Sequence, residues 1–112
     1  MPADTDGVAT NRDFLRSVFH SMLRARILEN KLSSLYKAGK IVGGVYLGRG
    51  QEAVSATLGT SLIQGKDFFA PLIRDQAGRT AFGEPMLDCT RTYLGSVQGP
   101  MRGRDGNIHR GR

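Results

Sequence analysis

The sequence predicts a mainly α-helical chain with about four helices, a glycine-rich linker and one short extended segment. Two observations support this fold class. Apolar residues recur at spacings of three and four over long stretches, which is the period of a helix with one buried side. Glycine and proline residues fall between those stretches, where they are expected to end helices. A chain of 112 residues has room for one small domain.

The first helix is the strongest structural prediction, and we expect it to begin at Asn11 and to end at Gly39. Residues 1–10 are short and polar, and are predicted to be disordered. A long apolar stripe on this helix is expected to be buried, and to need more partner surface than the later short elements supply. The stripe comprises Phe14, Leu15, Val18, Phe19, Met22, Leu23, Leu28, Leu32, Leu35 and Tyr36.

Three further helices complete a helical body predicted for residues 11–97. The first of these is expected to have small residues that allow close packing, and a short apolar stretch after it resembles a strand. Beyond the body, residues 98–112 form a loop rich in glycine and arginine, without periodicity. In chain order, the predicted elements are an extended linker at 41–50, helix 51–63, strand 68–72, helix 73–82 and helix 85–96.

The formal net charge is +6, and much of the excess comes from the arginines of the last eleven residues. Such a charge favours anionic partners, which include nucleic acid, phosphorylated cofactors and acidic subunits. No aromatic residue is interleaved with the arginines of this tail, and no recognised nucleic-acid-binding motif occurs. We therefore expect no nucleic-acid partner.

Cys89 is the single cysteine, so no intrachain disulfide can form, and a cytoplasmic location is expected. Its place on a helical apolar stripe predicts a buried, inert thiol. No cluster of cysteine and histidine has the spacing of a metal site, so no metal ligand is predicted. No apolar run approaches the roughly 20 residues that span a membrane, and no membrane partner is expected.

Three short motifs could have a chemical role. Gly50 to Ala53 opens a helix, where Glu52 either complements the helix dipole or meets a ligand. Arg74, before the next helix, either binds a phosphate or pairs with Asp75 at the surface. The tail that ends at His109 is either a ligand-binding loop with a proton-exchanging histidine or a disordered basic segment.

In this order the motifs resemble the α chains of the thiamine-diphosphate-dependent 2-oxo acid dehydrogenase family, which includes the pyruvate, branched-chain 2-oxo acid and acetoin dehydrogenases. The first helix adds to the resemblance through Glu29-Asn30-Lys31-Leu32 and the stretch from Leu35 to Ile41. The likeness runs from about Arg12 to the last residue and concerns only the N-terminal portion of that family. It implies that the full-length protein has a doubly wound α/β fold that binds thiamine diphosphate.

The resemblance also implies roles for individual residues. Arg74 matches an arginine that holds the cofactor's diphosphate, and His109 matches a histidine beside the thiazolium ring that is implicated in proton transfer. Tyr46 and Gln76 stand where many members have histidine, and are expected to offer hydrogen bonds to the cofactor. The implied partners are the β subunit and a lipoyl-bearing acyltransferase, and the implied cofactor is thiamine diphosphate with magnesium.

Two departures from the family pattern affect this expectation. Ile73 replaces the usual tyrosine and removes a hydroxyl donor, and the family's Gly-Asp-Gly magnesium motif does not occur in the sequence. We therefore expect the chain alone to bind no cofactor and to be inactive. The alternatives are a truncated, non-catalytic helical relic or β-chain-binding scaffold and, less favoured, a basic nucleic-acid-binding module.

Overall fold

The computed structural model describes residues 5–104 and residue 110, with side chains from Asn11 onward. In chain order its helices are α1 (Thr5–Lys37), α2 (Glu52–Ser61), α3 (Gln76–Phe82) and α4 (Met86–Tyr93). These residues contain no strand, so the mainly α prediction is confirmed, whereas residues 68–72 form a loop rather than the predicted strand.

The long first helix has the predicted C-terminal end. Gly39 adopts the left-handed conformation with φ of 75°, which glycine tolerates because it has no Cβ. The N–H of Lys40 then donates to the carbonyl of Leu35 at 2.9 Å and closes the helix end. The start differs from the prediction, since α1 begins at Thr5 rather than at Asn11.

Helix α3 begins later than the predicted residue 73 because a turn precedes it. The carboxylate of Asp75 accepts a hydrogen bond from the N–H of Leu72 at 2.9 Å. The N–H of Asp75 in turn donates to the carbonyl of Leu72 at 3.2 Å. This side-chain hydrogen bond competes with helix formation, so the first helical residue is Gln76.

The core consists of two clusters that lie along α1. One joins the second half of α1 to the linker and α4, and is formed by Leu28, Leu32, Ile41, Cys89 and Tyr93. The other joins the preceding, middle part of α1 to α2 and α3, and is formed by Val18, Ala25, Ala56 and Ala77. Small residues in the second cluster let the three helices approach closely, as the composition of α2 predicted.

The closest approach is between α2 and α3. A Cβ atom built on Gly59 would lie 2.3 Å from the carbonyl oxygen of Gly78, so no side chain fits there. One turn earlier on α2, the hydroxyl of Ser55 accepts a hydrogen bond of 2.8 Å from the N–H of Gly78. Glycine at both positions is therefore a packing requirement.

The prediction of a single buried stripe on α1 is wrong for part of that stripe. Leu15, Phe19 and Leu23 are 62%, 63% and 47% exposed, and Ile27, one turn further on, is 57% exposed. Together these four residues form a second, unburied ridge, because helical periodicity alone cannot distinguish two adjacent apolar rows. Within the described part of the chain, no helix has both the length and the apolar character needed to cross a membrane.

Candidate functional site

Two of the residues expected to bind a cofactor lie together in the structure. Arg74 is exposed in the turn before α3, and its Cζ atom lies 5.7 Å from the centre of the Tyr46 ring. Tyr46 belongs to the glycine-rich linker and is 37% exposed. A guanidinium at this distance from an aromatic face is attracted to it and keeps its hydrogen-bond donors available at the ring's edge.

Gly48 brings the linker against the Arg74 turn. A Cβ atom built on Gly48 would lie 2.2 Å from the carbonyl oxygen of Arg74. The N–H of Gly48 also donates to the Oε1 atom of Glu29 at 2.7 Å, in a buried hydrogen bond. Helix α1 therefore fixes the linker, and the linker in turn packs against the backbone that carries Arg74.

Glu29 is a carboxylic acid at a core position. It is only 1% exposed, and its Oε2 atom makes no hydrogen bond to the described residues. Burial raises the pKa of Glu29 above its ordinary value, and the nearby negative charge of Glu52 acts in the same direction, while the Gly48 N–H opposes both. Compared with an exposed glutamate, Glu29 is therefore shifted toward its protonated form.

Glu52, the first residue of α2, is held in its charged form. Its carboxylate accepts a hydrogen bond from the N–H of Gly50 at 2.7 Å and another from Arg26. Burial alone would raise the pKa of Glu52. The hydrogen bonds from the backbone and from Arg26 outweigh burial and bring this pKa below its ordinary value. Glu52 thus ties α2 to α1.

Gln76 lies in a buried polar network rather than at the surface. It is 2% exposed, and its Oε1 atom accepts a hydrogen bond from Nη2 of Arg110. The Nε atom of Arg110 also donates to Glu84 at 2.8 Å, and Glu84 pairs with Arg79 at 3.2 Å. The network borders a pocket of about 310 Å³.

Cys89 lies beside the same network and is buried, as predicted. Its Sγ atom is 3.5 Å from Oε1 of Gln76, to which the thiol donates. Burial raises the pKa of Cys89 to about 11, although the charge of Arg110 lowers it in part. The thiol therefore stays protonated near neutral pH.

His109, the predicted catalytic residue, lies outside the described residues. Among the residues that are described, no group of three or more histidine, cysteine, aspartate or glutamate side chains could hold a metal ion.

Sequence reasoning missed the role of Glu29 and of Gly48. A signal for Glu29 was present, because it follows Val18, Met22 and Ala25 at helical spacing, and so places a carboxylate on the buried row of α1. Gly48 carried no comparable signal. Its close contact with the Arg74 backbone depends on how the linker folds over α1.

Comparison with curated proteins gives matches over most of the chain. It is 33% identical over 92 residues to the "Pyruvate dehydrogenase E1 component subunit alpha" of Porphyra purpurea, which covers 82% of this chain and 26% of that protein. It is 30% identical over 108 residues to the chloroplastic alpha-3 subunit of Oryza sativa subsp. japonica, covering 96% of this chain and 25% of that protein. The mitochondrial alpha subunit of Dictyostelium discoideum is 34% identical over 105 residues, covering 94% and 28% respectively.

No protein-family model and no solved structure matches the chain. The curated relatives are much longer, and the chain spans only about a quarter of their length. Over most of its own length, therefore, the chain is similar to a segment of the alpha subunit of the pyruvate dehydrogenase E1 component.

Proposed function

We propose that the chain is the N-terminal segment of the α subunit of a 2-oxo acid dehydrogenase, the component that decarboxylates its substrate with thiamine diphosphate. The similarity to pyruvate dehydrogenase alpha subunits supports this proposal. The observation that carries it is the exposed guanidinium of Arg74 against the ring of Tyr46. Both residues occupy positions at which the family resemblance implies contacts with the cofactor.

The side chains at this site suit a diphosphate. The planar guanidinium of Arg74 can donate two parallel hydrogen bonds to phosphate oxygens, and the Tyr46 hydroxyl can add a third. Gln76 has fewer hydrogen-bonding groups available for the cofactor, because its Oε1 atom already accepts a hydrogen bond from Arg110. Its Nε2 atom makes no hydrogen bond to the described residues, but it is buried, so it would reach the cofactor only after the surrounding network opens.

His109 is proposed to transfer protons during the reaction, which is the oxidative decarboxylation of a 2-oxo acid with transfer to a lipoyl group. When bound, thiamine diphosphate would act as the electron sink, while the protein supplies orientation and charge. The substrate is proposed to be a 2-oxo acid, such as pyruvate or a branched-chain 2-oxo acid. The β subunit and a lipoyl-bearing acyltransferase are the proposed partners, and the cytoplasm is the proposed compartment.

We propose that the segment is inactive by itself, because magnesium needs oxygen ligands that bridge to the diphosphate and the family's Gly-Asp-Gly motif does not occur here. The first test is the mass of the native product, together with the coding sequence after Arg112. A longer product with the Gly-Asp-Gly motif is expected. A native product that stops at Arg112, with no complementing reading frame, would instead favour a non-catalytic relic or scaffold.

The site itself is tested in the native product by calorimetric titration with thiamine diphosphate and magnesium. Arg74→Ala is expected to weaken cofactor binding at least tenfold, in line with the loss of a charge-assisted hydrogen bond worth roughly 1.5–3 kcal/mol. Arg12→Ala removes an exposed arginine of α1 and is the matched control. Unchanged cofactor affinity in Arg74→Ala would argue against the proposed site.

A further inference from the structure

Helix α1 carries an exposed apolar ridge that nothing in the described part of the chain covers. Its members lie at every fourth position and are between 47% and 63% exposed; they are Leu15, Phe19, Leu23 and Ile27. The neighbouring apolar row of α1 packs on α2 and α3 through Val18 and Ala25. The ridge is therefore a second apolar face on a helix whose first face is already buried.

The surroundings of this ridge are basic. Arg12 and Arg16 are exposed and lie one turn apart beside Leu15 and Phe19. Together with Asn11, these four residues line a shallow depression of about 540 Å³. Further along, the Arg26 side chain is 49% exposed but is paired with Glu52. Although Asp13 is next to Arg12 in sequence, no ion pair joins Arg12 or Arg16 to a described carboxylate, so the unpaired positive charge lies at the N-terminal half of the ridge.

This charge pattern argues against a second copy of the chain as the occupant. Parallel pairing of two ridges would place each Arg16 against its counterpart. Antiparallel pairing that matches Leu15 with Ile27 and Phe19 with Leu23 places Arg16 opposite Arg26 instead. Parallel pairing therefore brings like charges together, and antiparallel pairing offers Arg16 only an arginine whose charge Glu52 already neutralises, whereas a partner with carboxylates could pair with Arg12 and Arg16.

The spacing favours a helical protein partner over a lipid surface. A row of side chains four residues apart forms the ridge that packs into the groove of another helix. A helix that lies on a membrane usually presents a broad apolar face with its basic residues on the polar side. Here the arginines lie along the apolar row itself, where they can meet acidic residues on both flanks of a partner helix.

From these observations we infer that the ridge Leu15–Phe19–Leu23–Ile27 docks an amphipathic helix of a different protein, whose apolar side is flanked by aspartate or glutamate. The inference does not depend on the proposed dehydrogenase function, because it rests only on the exposure, spacing and charge of α1. Phe19 is the central apolar contact, and Arg12 and Arg16 supply the charge that selects an acidic partner.

The test measures binding of two synthetic helical peptides to the native-length product by fluorescence anisotropy. Both peptides have about 20 residues with the same leucine row, and a covalent staple keeps them helical. One is flanked by glutamate and the other by lysine. We expect the glutamate peptide to bind at least tenfold more tightly than the lysine peptide, and its binding to weaken as salt is added.

Two substitutions locate the contact. Phe19→Ala should reduce the affinity for the glutamate peptide at least tenfold, because central aromatic residues dominate such interfaces. Arg12→Glu with Arg16→Glu should abolish the preference for the glutamate peptide. Lys40→Glu with Lys66→Glu makes the same change in net charge at exposed positions outside α1 and should leave the preference intact.

Four outcomes would overturn the inference. They are equal binding of both peptides, absence of binding by the glutamate peptide, a dimer in sedimentation that Phe19→Ala dissociates, and ridge-dependent binding only to phosphatidylserine vesicles. Absence of peptide binding to a longer native product would indicate that the remainder of that product covers the ridge. Circular dichroism and thermal unfolding of every variant verify that the fold is unchanged.

Discussion

Glu29 on α1 accepts a hydrogen bond of 2.7 Å from the backbone N–H of Gly48 in the glycine-rich linker. The pair joins the longest helix to the segment that carries Tyr46, and Gly48 in turn contacts the backbone of Arg74. The position of the candidate cofactor-binding residues therefore depends on a buried carboxyl group that does not itself reach the surface.

Two substitutions of Glu29 should distinguish the contribution of its hydrogen bond to stability from the contribution of its charge. Glu29→Ala leaves the Gly48 N–H buried without an acceptor and is expected to lower the free energy of unfolding by about 1–3 kcal/mol. Glu29→Gln keeps an acceptor at Oε1 and removes the charge, and is expected to be at least as stable as the natural protein at pH 7. Urea unfolding measures both values.

The raised pKa of Glu29 predicts that the free energy of unfolding depends on pH. The pKa of Glu29 is raised in the fold, so the folded protein binds this proton more tightly than the unfolded chain. Its contribution to the free energy of unfolding is therefore greatest below the ordinary glutamate pKa and falls as the pH rises through the raised value. Glu29→Gln should remove this decline, whereas unchanged pH curves in both proteins would contradict the raised pKa.

Gly48→Ala tests the close contact between the linker and the Arg74 turn. The added methyl group would meet the Arg74 carbonyl oxygen at 2.2 Å, and a backbone atom cannot move aside as a side chain can. We expect a loss of about 1–3 kcal/mol in the free energy of unfolding. At Gly99 the nearest atom to an added Cβ is Arg91 Cβ at 3.2 Å, so Gly99→Ala should cost clearly less.

Arg110→Ala should be strongly destabilising, since the Arg110 side chain is 1% exposed and hydrogen-bonded to Glu84 and Gln76. Removal of one partner from a buried ion pair costs about 3–5 kcal/mol, and the partial exposure of Glu84 favours the lower end. Thermal unfolding compares this variant with Arg104→Ala, which removes an exposed arginine. Equal melting temperatures for the two variants would contradict the network.

Cys89 should be unreactive in the folded protein. Its pKa of about 11 leaves very little thiolate at pH 8, and burial excludes the reagent. Ellman's reagent is expected to modify the thiol only after denaturation in urea. Rapid modification of the native protein would show that the core cluster around Cys89, between α1, the linker and α4, opens readily.

Much of the helical architecture could be predicted from local patterns. The end of α1 followed from Gly39, and the small residues of α2 indicated close helix packing, which the structure shows against α3. The start of α3 could not be placed, because the Asp75 side chain bonds to the Leu72 backbone in preference to helix formation. The burial of α1 was also misjudged, since Leu15 and Val18 fit the same helical period and only tertiary packing decides which of them is covered.

The candidate site was predictable in part. Arg74 was chosen from a short motif and Tyr46 from the family resemblance, and the structure places them together. Gln76 was expected to contact the cofactor, but its side chain bonds to Arg110, which is distant in sequence. The Glu29–Gly48 hydrogen bond was not predicted either. In both cases the partners come from segments that are distant in sequence and meet only after folding.

The contact between Gly59 and Gly78 has a consequence for motion at the site. Helices whose backbones touch cannot slide along each other without a steric collision, so α2 and α3 should open and exchange amide hydrogen as one cooperative unit. Arg74 precedes α3 and lies outside that unit. The exposed guanidinium of Arg74 can therefore adjust to an arriving ligand through its own side-chain torsions, while the paired helices behind it stay in place.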